Sequence, residues 1–393
     1  MKRLCGPSGD APRHKRNAFD VLMPSRADSR FSEELWLVAR RGYLEWGWGT
    51  FKESKDIRVT QTWQCNVSVK TNEMKVWTNI PSAAVPLKVV NETSFNAAHL
   101  MSFLQKNVRR GYCEAAVRCA AELMSKSFNQ FARRLCIIMV EDVILHPALP
   151  LIVWCMVATS KGFVPSPLLV AACLGVVHEI SACATKDYWP YDTLEWKRPP
   201  RGLYRDMGAT PESTLLRCLM LRISFGGTPS DMNVVDQTLS GWCDRFGEKR
   251  CLPEPMVTDS SGVIPFGYMT DPPAVFGNGK CISMLQQHFT GCGIPSVLLR
   301  RVMYAFNARM LRLDDVPPSG VDYHITEVVA TIVHRHPEYT IEEVKLAMWQ
   351  CSSGINWRRL HARNDSAMEI WDAIEDTAGE YSMRFIAARI GAK

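Results

Sequence analysis

The chain has 393 residues, of which 47% are apolar and 22% charged, the balance of an ordinary globular protein. That composition excludes wholesale disorder, a collagen-like repeat and a polytopic membrane protein, and the length accommodates two or three modest domains. A formal net charge of +6 is mild over this length. It permits nucleic-acid binding without requiring it, so the placement of the charges has to decide.

Residues 1–30 form a polar, basic lead in which Lys2, Arg3, Arg13, Lys15, Arg16, Arg26 and Arg30 outnumber Asp10, Asp20 and Asp28. Gly6, Pro7, Gly9 and Pro12 break regular structure, so a disordered tail is expected, without the apolar stretch of a secretory signal. One apolar island lies within it, Asn17-Ala18-Phe19-Asp20-Val21-Leu22-Met23. Phe19, Leu22 and Met23 have the form of a short linear motif that anchors in a partner's groove. The other reading is a strap packed on the chain's own surface.

Residues 31–95 read as a small aromatic-rich module with β-strands. Trp36, Tyr43, Trp46, Trp48 and Phe51 cluster at its start. Alternation predicts strands over 57–62, 65–69 and 75–77, with a turn signal at Asn72. Aromatics interleaved with Lys and Arg can stack bases, although such rings more often form core.

From residue 96 to 184 the pattern is helical. Phe95, His99, Leu100, Phe103 and Leu104 recur at helical spacing, and further helices are predicted over 115–124, 131–144 and 168–183. They are separated by 125–129 and by links bearing Pro147, Pro150, Pro165 and Pro167, which together predict a compact helical domain. The apolar run 135–158 is broken by Glu141, Asp142, His146 and two prolines, so no membrane span is expected and the protein should be soluble.

Residues 185–320 mix helix and loop. Pro211 opens a helix through Leu221. Residues 253–279 read as an extended loop rich in Gly and Pro, and 296–313 as a helix carrying Arg300, Arg301, Arg309 and Arg312. Residues 321–393 are again helical, over 325–333, 340–349 and from Asp365 onward, with Thr340 and Glu343 placed as a capping box. The expected fold class is mainly α with a small β-containing N-terminal module.

Fourteen cysteines suggest a disulfide scaffold until their spacing is considered. There is no C-x-x-C, and Cys113/Cys119, Cys173/Cys183 and Cys243/Cys251 lack zinc-knuckle spacing. Several lie in apolar helices, where a thiol behaves as a small hydrophobe. A reducing compartment, nuclear or cytoplasmic, follows as the expectation.

Three kinds of chemistry can be weighed. The nearest string to a phosphate-binding loop, Gly277-Asn278-Gly279-Lys280-Cys281, has Ala274 where the first glycine belongs and Cys281 where magnesium needs a hydroxyl. No ATP site or other cofactor site is expected. Asp322, His324 and His336 could gather a metal, but His334-Arg335-His336-Pro337 also reads as a helix end favouring cationic side chains. The arginine pairs say more. Arg109, Arg133, Arg300, Arg301, Arg358 and Arg359 are candidates for phosphate contacts, as planar donors on otherwise apolar helices. Glu141, inside an apolar helix, needs a cation, and Arg110 and Arg134 are its expected structural partners.

Leu104-Gln105-Lys106-Asn107-Val108-Arg109-Arg110-Gly111, Glu114-Ala115-Ala116, Phe131-Ala132-Arg133-Arg134-Leu135 and Val140-Glu141-Asp142-Val143-Ile144-Leu145 form a familiar sequence of blocks. They resemble the C-terminal helical region of clamp-loader-type AAA+ ATPases of the Werner-helicase-interacting, or MgsA/RarA, family. The likeness covers residues 100–184, with Ile144 where that family has glycine. It implies that 96–184 is a collar-like, oligomerising helical domain associated with DNA replication or repair. Motor activity is not implied, because too few residues precede the match for an ATPase module. The island around Phe19 also resembles elements near the N-termini of some nuclear DNA-maintenance proteins.

The sequence therefore leads to a non-ATPase accessory protein of DNA replication or repair. It would self-associate or dock partners, reach replication and repair proteins through its N-terminal motif, and bind DNA weakly and salt-sensitively; catalytic residues are not expected. Two alternatives stand beside it: a metal-dependent hydrolase using Asp322, His324 and His336, and a structural interaction protein without nucleic acid.

Overall fold

A computed structural model describes residues 33–40, 43–52, 59–69, 72–89, 92–183, 185–187, 210–246, 256–257, 311–321, 326–354 and 365–390. The chain is mainly helical with a small four-stranded sheet at the N-terminal end, as its periodicity predicts.

The sheet comprises β1 (Glu33–Arg40), β2 (Tyr43–Trp48), β3 (Trp63–Val69) and β4 (Asn72–Thr78), in the order β2-β1-β4-β3. β1 pairs antiparallel with β2 and parallel with β4, and β3 pairs antiparallel with β4. Strand pleating sorts its aromatics onto two faces. Trp48, Leu35, Val76 and Cys65 lie in one cross-strand row, and Trp46, Leu37, Thr78 and Trp63 in the next; both rows face the helices. On the opposite face Trp36 stacks near Trp77, with ring centroids 6.5 Å apart, and Phe51 meets both edge-on. Gly47 is obligatory there, since a Cβ would lie 2.4 Å from the Trp36 ring.

Two features of the expected strand pattern change. The aromatic stretch before residue 49 is itself a hairpin of two strands. Residues 59–62 of the expected strand 57–62 form no strand, although Thr62 N donates to Thr78 O at 3.0 Å, while 57–58 lie outside the described residues. Asn72 opens β4 opposite Val69.

The helical part begins with α1 (Ala97–Arg109), capped by the Asn96 side chain, which accepts from His99 N at 3.0 Å. Then come α2 (Cys113–Asp142), α3 (Leu149–Thr159) and α4 (Pro167–Ala182). α2 is two helices joined at a break: Ser127 has φ −161 and ψ 94, within the separator 125–129 that the sequence predicts. At the break Lys88 Nζ donates to Ser125 O at 2.7 Å, and Lys126 Nζ donates to Thr93 O and Phe95 O, each at 2.6 Å. Glu122 beside it is buried and accepts from Thr93 N at 2.9 Å, so the segment before α1 is strapped across the kink.

α3 is buried from Leu149 to Ala158 and forms the centre of the fold. Its Trp154 donates from Nε1 to Trp77 O at 3.2 Å and meets Trp63 and Phe163 edge-on. One apolar core thus runs from the sheet into the helices, across the boundary expected between 95 and 96. Truncating a fully buried Trp of this kind costs about 3–5 kcal/mol.

α5 (Pro211–Ser224) and α6 (Pro229–Phe246) complete this core. α3, α4, α5 and α6 all start with proline in the first turn, where the missing N–H is no loss. Within the loop expected at 253–279, β6 (Met256–Val257) pairs with β5 (Thr185–Lys186).

A 3₁₀ turn at Leu313–Asp315 and the short α7 (Pro318–Val321) lead to the C-terminal helices α8 (Thr326–Arg335), α9 (Ile341–Ser352) and α10 (Asp365–Ile390). The capping box of α9 is formed: Glu343 N donates to Thr340 Oγ1 at 3.3 Å and Thr340 N to Glu343 Oε2 at 2.8 Å. α8 ends at Arg335, as the His-Arg-His-Pro string predicts. These three helices enclose a second core of Val328, Ile332, Val344, Met348, Ile370 and Ile374, among others. α10 then runs on into the first core, where Ile386 is buried and Phe385 stacks 6.1 Å from Phe95.

Candidate functional site

Three of the residues singled out in the sequence, Arg109, Arg134 and Glu141, come together where the end of α1 meets the end of α2. Leu100, Phe103, Leu104 and Val108 bury one face of α1. Gln105 and Arg109, four residues apart, share the flank of α1 that meets Glu141 and Asp142 on the last turn of α2. Arg109 Nε donates to Asp142 Oδ1, and its Nη2 lies 3.6 Å from Glu141 Oε1. Gln105 Nε2 donates to Asp142 Oδ2 at 2.7 Å and to Glu141 Oε2 at 3.1 Å. Its carbonyl oxygen accepts from Arg134, which also reaches Asp231 on α6 at 3.0 Å.

The side chains of Arg109, Glu141 and Asp142 are 7%, 7% and 0% exposed. Burial alone would depress the Arg109 pKa, but Asp142 and Glu141 outweigh it and hold it above the usual value. Burial also lifts the Asp142 carboxyl, against the pull of Arg109. The seam Arg109–Asp142/Glu141–Gln105–Arg134–Asp231 therefore ties α1, α2 and α6 together.

This corrects the arginine assignment. Arg109, expected to face phosphate, is the cation that Glu141 and Asp142 require. Arg110, expected beside Glu141, is the C-cap of α1. Its guanidinium lies 4.3 Å from the Tyr112 ring and donates to Tyr112 Oη at 3.0 Å, at an exposed corner where Gly111 turns the chain at φ +72. Arg134 touches the carboxylates only through Gln105. Arg133, the other phosphate candidate on α2, donates from Nη2 to Phe225 O and Gly226 O, each at 3.0 Å. A helix ending within its own domain exposes carbonyls, and a neighbouring guanidinium satisfies them. Arg300, Arg301, Arg358, Arg359, Phe19, Leu22 and Met23 lie outside the described residues.

Of the alternative metal set, Asp322 and His324 also lie outside. His336 has Nε2 3.3 Å from Thr377 Oγ1 and Nδ1 3.4 Å from Glu338. Among the described residues no three His, Cys, Asp or Glu side chains converge as metal ligands.

Three charged contacts join residues too distant in the chain for a sequence reading to pair. Arg118 grips Asp315 with two hydrogen bonds, of 2.7 and 2.5 Å. Arg245 lies 3.0 Å from Asp187 and 4.5 Å from the Trp242 ring, while Trp242 Nε1 donates to the same carboxylate at 3.1 Å. Arg222, buried on α5, donates to Arg133 O at 3.0 Å and Gly226 O at 2.8 Å. The only local signal for Arg222 was a charge inside a leucine-rich helix.

No protein-family model matches this chain, and no curated protein or solved structure is significantly similar to it. Among the described residues, no helix is long and apolar enough to cross a membrane.

Proposed function

We propose that the chain is a non-catalytic accessory protein whose helical body is a rigid docking scaffold. The observation that carries this reading is the inward use of arginine. Arg109, Arg118, Arg133, Arg134, Arg222 and Arg245 are bonded to carboxylates, carbonyls or an amide within the body. Such contacts fix helix positions, which a docking surface needs, and the carboxylate partners of Arg109, Arg118 and Arg245 withdraw those three from any phosphate contact. The collar resemblance points toward partners in DNA replication and repair, and toward self-association.

A second reading keeps direct DNA contact and rests on the exposed corner at Arg110 and Tyr112, where a cation and a ring that is 46% exposed stand side by side. Fluorescence anisotropy of the full chain against single-stranded, duplex and forked DNA at two salt concentrations separates the two, with light scattering for the oligomeric state. The docking reading expects no salt-sensitive DNA affinity. Salt-sensitive affinity that is lost in Arg110→Glu sinks it in favour of the second.

A further inference from the structure

Among the described residues, the turn between α5 and α6 gathers more guanidiniums than bonded carboxylates. Arg133, Arg134 and Arg222 converge on residues 225–231 and meet a single bonded carboxylate, that of Asp231. Arg222 is 3% exposed, yet its hydrogen bonds go to the carbonyls of Arg133 and Gly226, with the Met232 sulfur at 3.9 Å. Its Nη2 makes no hydrogen bond among the described residues and lies under the turn, 3.6 Å from where a Cβ on Gly227 would stand. Burial pulls its pKa down; Arg133 and Arg134 add to that, while Cys136 and Asp231 oppose it. A buried guanidinium with no bonded anion among the described residues, beneath an exposed turn, is suited to receiving one.

The turn also carries a residue that can supply that anion. Thr228 is the N-cap of α6: its Oγ1 accepts from Asp231 N at 3.1 Å, and its carbonyl accepts from Met232 N at 3.0 Å. Gly227, Thr228, Pro229 and Ser230 are all exposed. An exposed Thr-Pro dipeptide is the recognition unit of proline-directed protein kinases. We propose that Thr228 is a phosphorylation site for a kinase of that class, and that Arg133, Arg134 and Arg222 hold the resulting phosphothreonine at the N-terminus of α6.

In the transfer, Thr228 Oγ1 attacks the γ-phosphorus of ATP and an O–P bond forms. The bond from that phosphorus to the β,γ-bridging oxygen breaks, ADP leaves with the electron pair, and the hydroxyl proton passes to the kinase's base. The product places about −2 charge where three guanidiniums face one carboxylate, and it lies at the positive end of the α6 dipole. Arginine donors now spent on the Gly226 carbonyl can turn to phosphate oxygens, so the modification tightens the α2–α5–α6 junction.

The test uses the folded full chain, ATP and a purified proline-directed kinase, with site mapping by mass spectrometry to separate Thr228 from the Thr210-Pro211 dipeptide. The expected result is incorporation at Thr228, a phosphate whose second pKa by phosphorus NMR falls below about 6, and a Tm raised by on the order of 2 °C. Arg133→Gln and Arg134→Gln should each remove at least half of that pKa displacement. A kinase-independent arm compares Thr228→Glu with Thr228→Gln, the acid being the more stable. Absence of incorporation in the folded chain, an undisplaced phosphate pKa, or a Glu variant no more stable than Gln would each overturn the proposal.

Discussion

Asp315 receives two hydrogen bonds from Arg118, a residue 197 positions earlier in the chain, and its Oδ2 also accepts from Arg312 N at 2.8 Å. The carboxylate thereby fixes the 3₁₀ turn against α2, and Asn107 Nδ2 donates to the Asp315 carbonyl at 2.7 Å on the other side. Both partners are largely buried: among the described residues, without Arg118 the carboxylate keeps only the Arg312 N–H, and without Asp315 the guanidinium keeps only the exposed Glu114, 3.2 Å away. Asp315→Ala should destabilise the chain by about 3–5 kcal/mol. Arg118→Met with Asp315→Leu should cost less than the sum of the single changes. Denaturant unfolding of the four proteins measures this, and strictly additive losses would show that the pair is not coupled.

The seam at Arg109 makes a similar demand with a functional edge. Arg109→Gln should lower stability by roughly 3 kcal/mol, because Asp142 keeps its burial and loses its charged partner. It should leave any nucleic-acid affinity of the folded chain unchanged. A drop in affinity without a drop in stability would return Arg109 to the role its sequence context predicts.

His146 sets a pH dependence. It is buried; Nδ1 accepts from Ala148 N at 2.9 Å, and Nε2 lies 3.1 Å from Glu179. Burial lowers its pKa, and the Glu179 hydrogen bond and charge only partly offset that. The folded chain therefore holds the neutral ring at a pH where the unfolded chain has already taken up a proton. The stability due to His146 is complete above the unfolded pKa of about 6.5 and is lost as pH falls toward the folded value, below which it changes no further. The difference in unfolding midpoint between wild type and His146→Gln, followed from pH 8 to about pH 5, should show that slope. A flat difference would mean that the ring takes up its proton at the same pH in the folded and unfolded chain.

Thiol chemistry gives a fourth check. Cys119, Cys136, Cys155 and Cys218 are fully buried or nearly so. Burial pushes the Cys136 thiol up to about 12 and the Cys119 and Cys218 thiols well above their usual value. Cys155 is raised as well, first by its hydrogen bond with Cys173 and then by burial. Thiolate is the reactive form, so these residues should resist alkylation in the native chain and react once it unfolds. Mass-spectrometric mapping after a short alkylation pulse, with and without denaturant, reports it residue by residue. Native labelling of Cys136 would place that part of the core within reach of solvent.

What could be read from the sequence follows the range of each interaction. Helical spacing marks α1, α8, α9 and α10 because each buries one face, opening prolines mark α4 and α5, which are buried nearly all round, and short-range rules locate the capping box at Thr340 and the break near Ser127. α3 goes unmarked by spacing: it is apolar all round, so it has no polar face to give it a period. β1 goes unmarked for a related reason, because Leu35, Trp36, Leu37 and Val38 are apolar toward both faces and the alternation disappears, whereas β2 keeps it in Leu44, Trp46 and Trp48. The need of Glu141 for a cation is legible from burial alone. Which arginine supplies it depends on a rotation of α1 about its own axis that separates Arg109 from Arg110, and sequence spacing does not carry that angle.

α10 belongs to two cores at once. Its first half closes the wall around Ile332 and Met348, its last turns cover Phe95, and the carbonyl of Arg389 takes the N–H of Ser94 at 3.1 Å. Tyr381, between the two, packs against both. Severing the chain before Asp365 would therefore strip a wall from the α8–α9 pair and, in the same cut, uncover the start of α1 and the strap across the α2 kink. The last described helix serves as a keystone for the first: nascent α1 and α2 can be made early, but this junction is complete only when synthesis has passed residue 390.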